Sequence, residues 1–512
     1  MHPYPDYFPR RYAADQLDTA PLIYAGLSAD TERPIVAFDD QAIARSALRQ
    51  QVAGWQAWLR ARGLRRGDRV AVMLENSPEQ IALIYALILS GLVWVPVNTK
   101  LRGMGLRYLM EHAEPRLLVS EAAFDAVLDE AGVQPAGRAR LPRAAAQLPP
   151  DASMVGPAAG HDDPLCIIYT SGTTGAPKGV IFTHRMMRIS GEAALRVADA
   201  RAGDRLFLWE PLCHIGGAQM LLLPFLEDVE LHVVSRFSAS QFWSQFTRAR
   251  ATQLHYLGGI LDILMRLPAD AQPAEHTLRV AWGAGVTAGA WHAIRERLKC
   301  ELRECYGMTE CSSFATLNDT GKPGSIGRPL PWLRLELLDD EGHEVPPGQS
   351  GEIVLSSDVD GVFLAGYLDN EAATRATLRG GKLHTGDAAR RDADGDLFFV
   401  GRRTDSMRVR GENVSAWEIE RVFAAHPAVH MSAALGVASS VGEQEILLCV
   451  QFRDNAAADW PALAEWAARA LASFQLPRYY RRVEHFETTP SERIKKHLLS
   501  RDIDDAWDRL AR

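Results

Sequence analysis

Cysteine is scarce in this chain. The six present (Cys166, Cys213, Cys300, Cys305, Cys311 and Cys449) form no CxxC pair and no paired Cys/His spacing. That pattern excludes a disulfide framework or a structural zinc site and predicts reduced cysteines that serve packing. Basic runs are missing too, and the formal net charge of -8 excludes a general nucleic-acid binder. The opening MHPYPDYFPRRY lacks the apolar core of a signal peptide, so the sequence predicts a cytoplasmic protein. The most apolar stretch, Ile81 to Val97, is short for a membrane span and is interrupted by Ser90, Gly91 and Pro96. Ser77-Pro78-Glu79 ahead of it offers a capping hydroxyl and a first-turn proline. The expectation there is a buried helix stopped at Gly91, followed by a short strand over Leu92 to Val97. There is no internal repeat and no long low-complexity segment.

The 47% hydrophobic and 23% charged residues are ordinary for a soluble globular enzyme, and 512 residues are too many for a single core. Apolar runs at Arg69 to Leu74, Leu117 to Ser120, Leu165 to Tyr169, Leu231 to Ser235 and Leu278 to Trp282 alternate with helix-length amphipathic stretches. This alternation predicts layered α/β architecture. After about Pro323 short strands separated by Asp, Gly and Pro predict a β-rich subdomain, with strands at Arg334 to Leu338, Gly351 to Ser356 and Asp396 to Val400. From residue 403 onward, helices at Ala416 to His426 and Trp460 to Phe474 and strands at Ala433 to Val437 and Glu445 to Phe452 predict a compact α+β unit.

The densest chemical signal is YTSGTTGAPKGV, Tyr169 to Val180, directly after an apolar run. Its glycines let backbone amides approach a ligand, Thr170, Ser171, Thr173 and Thr174 add hydroxyls, and Lys178 adds a mobile positive charge. The composition suits a loop that wraps phosphate. A Walker loop needs Gly-Lys-Ser/Thr, but here Pro177 precedes Lys178 and Gly179 follows it. Further along, GAGVTAG from Gly283 satisfies a loose dinucleotide pattern. It is set aside because YGMTE follows Glu304 almost at once, where a dinucleotide fold would have its acidic strand end. DADGD, Asp392 to Asp396, has its glycine misplaced for a calcium loop and no closing Glu, so it predicts a hairpin turn.

These segments, with PLCHIGG (Pro211 to Gly217), YGMTE (Tyr306 to Glu310), LHTGD (Leu383 to Asp387), GRRTD, MRVRGENVSAWEIE (Met407 to Glu420) and TPSERIKKHLL near the end, fall in the order found in the adenylate-forming superfamily. The chain resembles that group of acyl-CoA synthetases, carrier-loading adenylation domains and luciferases over nearly its whole length. GENVS followed by EIE is closest to acyl-CoA ligases of the crotonobetaine/carnitine type.

The resemblance implies a large N-terminal adenylate-forming domain, residues 1–402, of layered α/β plus a β-rich subdomain, and a small mobile α+β C-terminal domain, residues 403–512. It assigns phosphate binding to Thr170, Ser171, Gly172, Thr173, Thr174, Gly175 and Lys178. Gly283, Ala284, Gly285, Tyr306 and Gly307 fall at the adenine, Asp387 and Arg402 at the ribose. Thr309 would bind phosphate and Glu310 would hold Mg²⁺. His214, Gly216, Gly258 and Trp282 would line the acyl pocket, and Thr404, Arg410, Gly411 and Glu412 would form the hinge and CoA-tunnel segment.

Departures from the pattern are Thr404, where Asp or Lys is usual, and Glu492-Arg493 in place of the Gly-Lys that carries the catalytic lysine. Arg493 keeps the charge on a more rigid fork, with Lys495 and Lys496 just beyond. The implied reaction is ATP-dependent acyl-CoA synthesis through acyl-AMP, with ATP, Mg²⁺ and CoA. A stand-alone enzyme loading a separate carrier protein and a non-catalytic nucleotide-binding relative stay as alternatives, and a homodimer stays open.

Overall fold

The computed structural model describes residues 18–141, 143–170, 176–257, 259–339, 341–402, 406–439, 443–453, 458–487, 494 and 496–511. Two seven-stranded sheets dominate the N-terminal part. One runs, edge to edge, through Glu301–Glu304, Val280–Ala284, Gln253–Leu257, Arg205–Leu208, Glu230–Val233, Val36–Phe38 and Gln41–Ile43, parallel except for its last pair. The other runs through Gly366–Tyr367, Lys178–Thr183, Pro164–Thr170, Val93–Pro96, Arg69–Met73, Leu117–Glu121 and Arg138–Leu141.

One core cluster joins both sheets, and helix His184–Ala198 crosses it. Thr183 caps that helix by accepting the Met186 N–H at 3.1 Å. Helix Pro78–Leu89 begins at Ser77, whose hydroxyl accepts the Gln80 N–H at 3.1 Å, and Gln80 through Leu89 are all buried. Gly91, at φ 64°, turns the chain into strand Val93–Pro96. The apolar stretch is thus a core helix, and among the described residues no helix is long and apolar enough to cross a membrane.

The β-rich part is a five-stranded sheet containing Arg334–Leu338, Ser350–Ser356 and Lys382–Arg391. The DADGD turn joins Lys382–Arg391 to Leu397–Arg402, and Lys322 Nζ pairs with the carboxylates of Asp392, Asp394 and Asp396.

In the C-terminal part, strands Val429–Ala438, Gln444–Phe452, Tyr479–Arg482 and Trp507–Asp508 form one sheet. Helices Ala416–Ala424 and Trp460–Ala468 pack on it around a separate core that includes Ile419, Phe423, Leu448 and Tyr480. The second helix ends six residues earlier than its composition suggests. Past Ala468 the chain turns so that Ala470 abuts Gly103 and Gln475 Oε1 accepts the Ala472 N–H at 3.0 Å.

Candidate active site

The phosphate-loop candidate lies between antiparallel strands Pro164–Thr170 and Lys178–Thr183, and not between a strand and a helix as in a Walker site. Ser171, Gly172, Thr173, Thr174 and Gly175 lie outside the described residues, as do Gly258, Thr404, Arg493 and Lys495. At the base of the hairpin, Lys178 Nζ sits 4.9 Å from the centre of the Tyr367 ring. Tyr367 OH donates to Glu310 Oε1 at 2.9 Å, and Thr170 Oγ1 lies 3.5 Å from the same oxygen. Glu310 and Thr309 are both buried.

Across from this cluster, the parallel strands of the other sheet present their carboxyl ends, where ligands collect in open α/β sheets. Strand Val280–Ala284 runs into the glycine turn. Gly283 packs so tightly against strand Gln253–Leu257 that a Cβ there would lie 1.8 Å from Tyr256 O. The turn is held from below by Glu304, which accepts the N–H of Gly285 at 2.5 Å and of Val286 at 3.2 Å. Burial raises Glu304 to about 8, the hydrogen bonds opposing only in part.

Tyr306 OH donates to Asp387 Oδ2 at 2.7 Å, and its ring stacks on Phe399 at 6.0 Å. Asp387 lies directly across the strand pair from Arg402, so residues fifteen apart in sequence are backbone neighbours.

These elements surround a cavity of about 450 Å³. Its lining includes Thr170, Lys178, Ala284, Gly307, Thr309 and Glu310 on one side and His214 and Gly216 on the other. Gly283, Gly285, Tyr306 and Asp387 stand behind that surface. Trp282 also stands behind it, fully buried, its ring stacked 4.1 Å from that of His255, which forms the wall in its place.

The C-terminal part closes the cavity. Strands Ser406–Val409 and Glu412–Ser415 form a hairpin turning through Arg410 (φ 51°) and Gly411 (φ 78°). Arg408, Gly411 and Glu412 line the cavity. Glu412 pairs with His214 Nε2 at 2.8 Å and Lys100 Nζ at 3.4 Å. Glu443 accepts both the Gly411 N–H at 2.9 Å and the Gly259 N–H at 3.2 Å, tying the hairpin tip to the N-terminal wall.

Two described residues of the basic segment near the end lie away from the cavity. Ile494 packs on the far face of the C-terminal sheet and Lys496 Nζ pairs with Glu420 at 2.7 Å.

Sequence reasoning missed Glu443, Glu210 and His255, which stand far apart in the chain. Only Glu210, a lone charge in the apolar run LFLWEPL, carried a signal.

Lys178 at the base of a hairpin, a glycine turn, a Tyr–Asp pair and a Thr-Glu motif around one cleft agree with an adenylate-forming protein. The AMP-binding enzyme family matches residues 27–368, and the chain belongs to it.

Curated relatives that it matches include CoA ligases. The sulfoacetate–CoA ligase of Cupriavidus necator is 33% identical over 86% of this chain and 88% of its own. The crotonobetaine/carnitine–CoA ligase of Salmonella paratyphi A is 29% identical over 85% and 89%. Among solved structures, o-succinylbenzoate CoA synthetase of Bacillus subtilis, a double mutant bound with the product analogue OSB-NCoA, superposes with a TM-score of 0.85 at 23% identity, covering 94% of this chain and 98% of that one. The same enzyme with ATP and magnesium gives 0.68, at 23% identity and coverage of 94% and 99%. The chain thus stands on the acyl-CoA ligase branch of the adenylate-forming superfamily.

Proposed function

We propose that this protein is an AMP-forming acyl-CoA synthetase acting in the cytoplasm. A carboxylate oxygen attacks the α-phosphorus of ATP, the bond to pyrophosphate breaks, and acyl-AMP forms. The CoA thiol then attacks the acyl carbonyl, loses its proton, and the C–O bond to AMP breaks. Lys178, with the hydroxyl-rich loop, would bind the phosphates, and placing and neutralising charge is most of what phosphoryl chemistry asks of a protein. Asp387 and Arg402 would take the ribose.

The oxygens around Glu310 suit a hard cation: a buried carboxylate beside Thr170 Oγ1 and Tyr367 OH. Glu310 would hold Mg²⁺, which when bound neutralises charge on the nucleotide phosphates.

The observation that carries the reading is the hairpin tip of the C-terminal part, Gly411-Glu412, lining the same cavity as Lys178 and Glu310. Nucleotide, acid and a thiol entering beside the hairpin would meet in one space. The better superposition on the OSB-NCoA complex than on the ATP complex supports an arrangement suited to the CoA step. Arg493, or Lys495 in its stead, would serve adenylation after the C-terminal part reorients.

ATP–pyrophosphate exchange over a panel of acids, followed by CoA addition and mass detection of acyl-CoA, tests the proposal. Exchange without acyl-CoA would transfer the reading to a carrier-protein thiol. Absence of exchange with every acid would leave a nucleotide-binding relative.

A further inference from the structure

The acyl side of the cavity ends on a buried acid–imidazole pair. Glu210 follows strand Arg205–Leu208 and His255 lies within Gln253–Leu257; both line the cavity and are 1% and 3% exposed. His255 Nδ1 meets Glu210 Oε2 in a short hydrogen bond, and Trp282 backs the imidazole. The hydrogen bond to the carboxylate puts a ring proton on Nδ1, and in that tautomer Nε2 is an acceptor.

Two polar atoms of this pair have no partner among the described residues: Glu210 Oε1 and His255 Nε2. Gly216, which lines the same cavity, packs closely against the pair: a methyl group there would lie 3.0 Å from Glu210 Oε1 and 3.2 Å from His255 Cε1. Buried polar groups without partners are rare and destabilising, and a ligand supplying the missing bonds is bound selectively.

Glu210 Oε1 accepts, and so does Nε2 in the tautomer whose proton sits on Nδ1. An alkyl tail or an anion pressed onto the pair leaves both atoms unsatisfied. A hydroxyl or amino group donates to either atom.

Resting on the ligase reading, we infer that the acid activated here carries a hydrogen-bond-donating group, a hydroxyl or an amine, at the end away from the reacting carboxylate, with Glu210 and His255 as its recognition pair.

The test uses the wild-type enzyme with chain-matched four- and five-carbon acids ending in methyl, hydroxyl, amino, carboxylate, sulfonate or trimethylammonium, reading kcat/KM for pyrophosphate release. Hydroxyl- or amino-ended acids are expected to exceed the methyl-ended ones by on the order of 10²-fold or more, as at sites built around a substrate donor. Equal or better use of methyl-ended acids overturns the inference and leaves the ligase reading intact. Preference for a carboxylate, sulfonate or trimethylammonium end overturns it too, because charge and not donation would then be read. No release with any acid overturns the ligase reading, and this inference with it.

Glu210→Leu, checked for wild-type thermal unfolding, is expected to invert the ranking toward methyl-ended acids. An unchanged ranking in a folded variant contradicts the assignment. The wild-type panel decides if that variant fails to fold.

Discussion

Glu412 at the C-terminal hairpin and His214 on the N-terminal wall form a 2.8 Å ion pair across the mouth of the cavity. Burial alone would lower the His214 pKa, but Cys213 and Glu412 beside it raise it well above the ordinary value. Burial would raise Glu412, yet His214 and then Lys100 hold it down to about 2.

The signs of these shifts define a pH window for the docked hairpin. The lowered Glu412 supports docking above the ordinary carboxylate pKa of about 4.3, and that support is lost as pH falls toward 2. The raised His214 contributes fully below its ordinary pKa of about 6.5 and stops contributing once pH passes its elevated value. The CoA-dependent step should therefore fall at both extremes. Glu412→Gln should slow it by roughly tenfold, since a hydrogen bond to a charged group contributes about 1.5–3 kcal/mol. ATP–pyrophosphate exchange should change far less, and single-turnover measurement of each half-reaction separates the two effects.

Glu304 under the glycine turn is a carboxyl kept protonated near neutrality. Tyr256 OH lies 2.6 Å from its Oε2 and 3.0 Å from Arg303 O. The neutral acid can donate to Tyr256 while Tyr256 donates to the carbonyl, so Glu304→Gln preserves the chain of bonds. Because the folded pKa is raised to about 8, this group favours folding below about pH 4.3 and that contribution fades as pH rises through 8. The Gln variant should keep the wild-type melting temperature at pH 6 and lose less stability at pH 9. Glu304→Ala, which strands buried donors, should cost about 3 kcal/mol or more in denaturant unfolding.

At the phosphate end, Glu310→Gln should keep the Tyr367 hydrogen bond but weaken cation binding. Exchange activity should then require several-fold more Mg²⁺, whereas Lys178→Ala should lower exchange by roughly 10²–10³-fold at any Mg²⁺ level, as loss of a transition-state donor does elsewhere. Mg²⁺ titrations of both variants distinguish the roles.

Much of the fold was legible because local chemistry agreed with it. Ser77-Pro78 and Gly91 bracket a helix buried from Gln80 to Leu89, and the glycine- and hydroxyl-rich run falls between two paired strands, the first of them the apolar run. Asp387 and Arg402 could be paired because a single turn separates their strands. Glu210 and His255 could not be, since parallel strands forty-five residues apart bring them together and nothing in either neighbourhood encodes the register. Glu443 escaped for the same reason, its role existing only once the two parts of the chain touch. Trp282 drew notice for its size, but size directs a side chain to the core, and the smaller His255 took the wall.

Opposite effects are expected from the basic segment near the C-terminus. Arg493→Ala should lower adenylation by roughly 10²-fold, Lys495→Ala by less, and neither should slow CoA attack on supplied acyl-AMP, because a lost charge contact at the reacting phosphate costs about 3 kcal/mol in that step alone. Equal slowing of both half-reactions by Arg493→Ala would count against its assigned place.

The most direct test is the product balance. With ATP, Mg²⁺, CoA and an accepted acid, the protein should release AMP and pyrophosphate in one-to-one ratio with acyl-CoA, resolved by chromatography and mass. ADP with orthophosphate, or AMP released without any thioester when CoA is saturating, would contradict an AMP-forming CoA ligase.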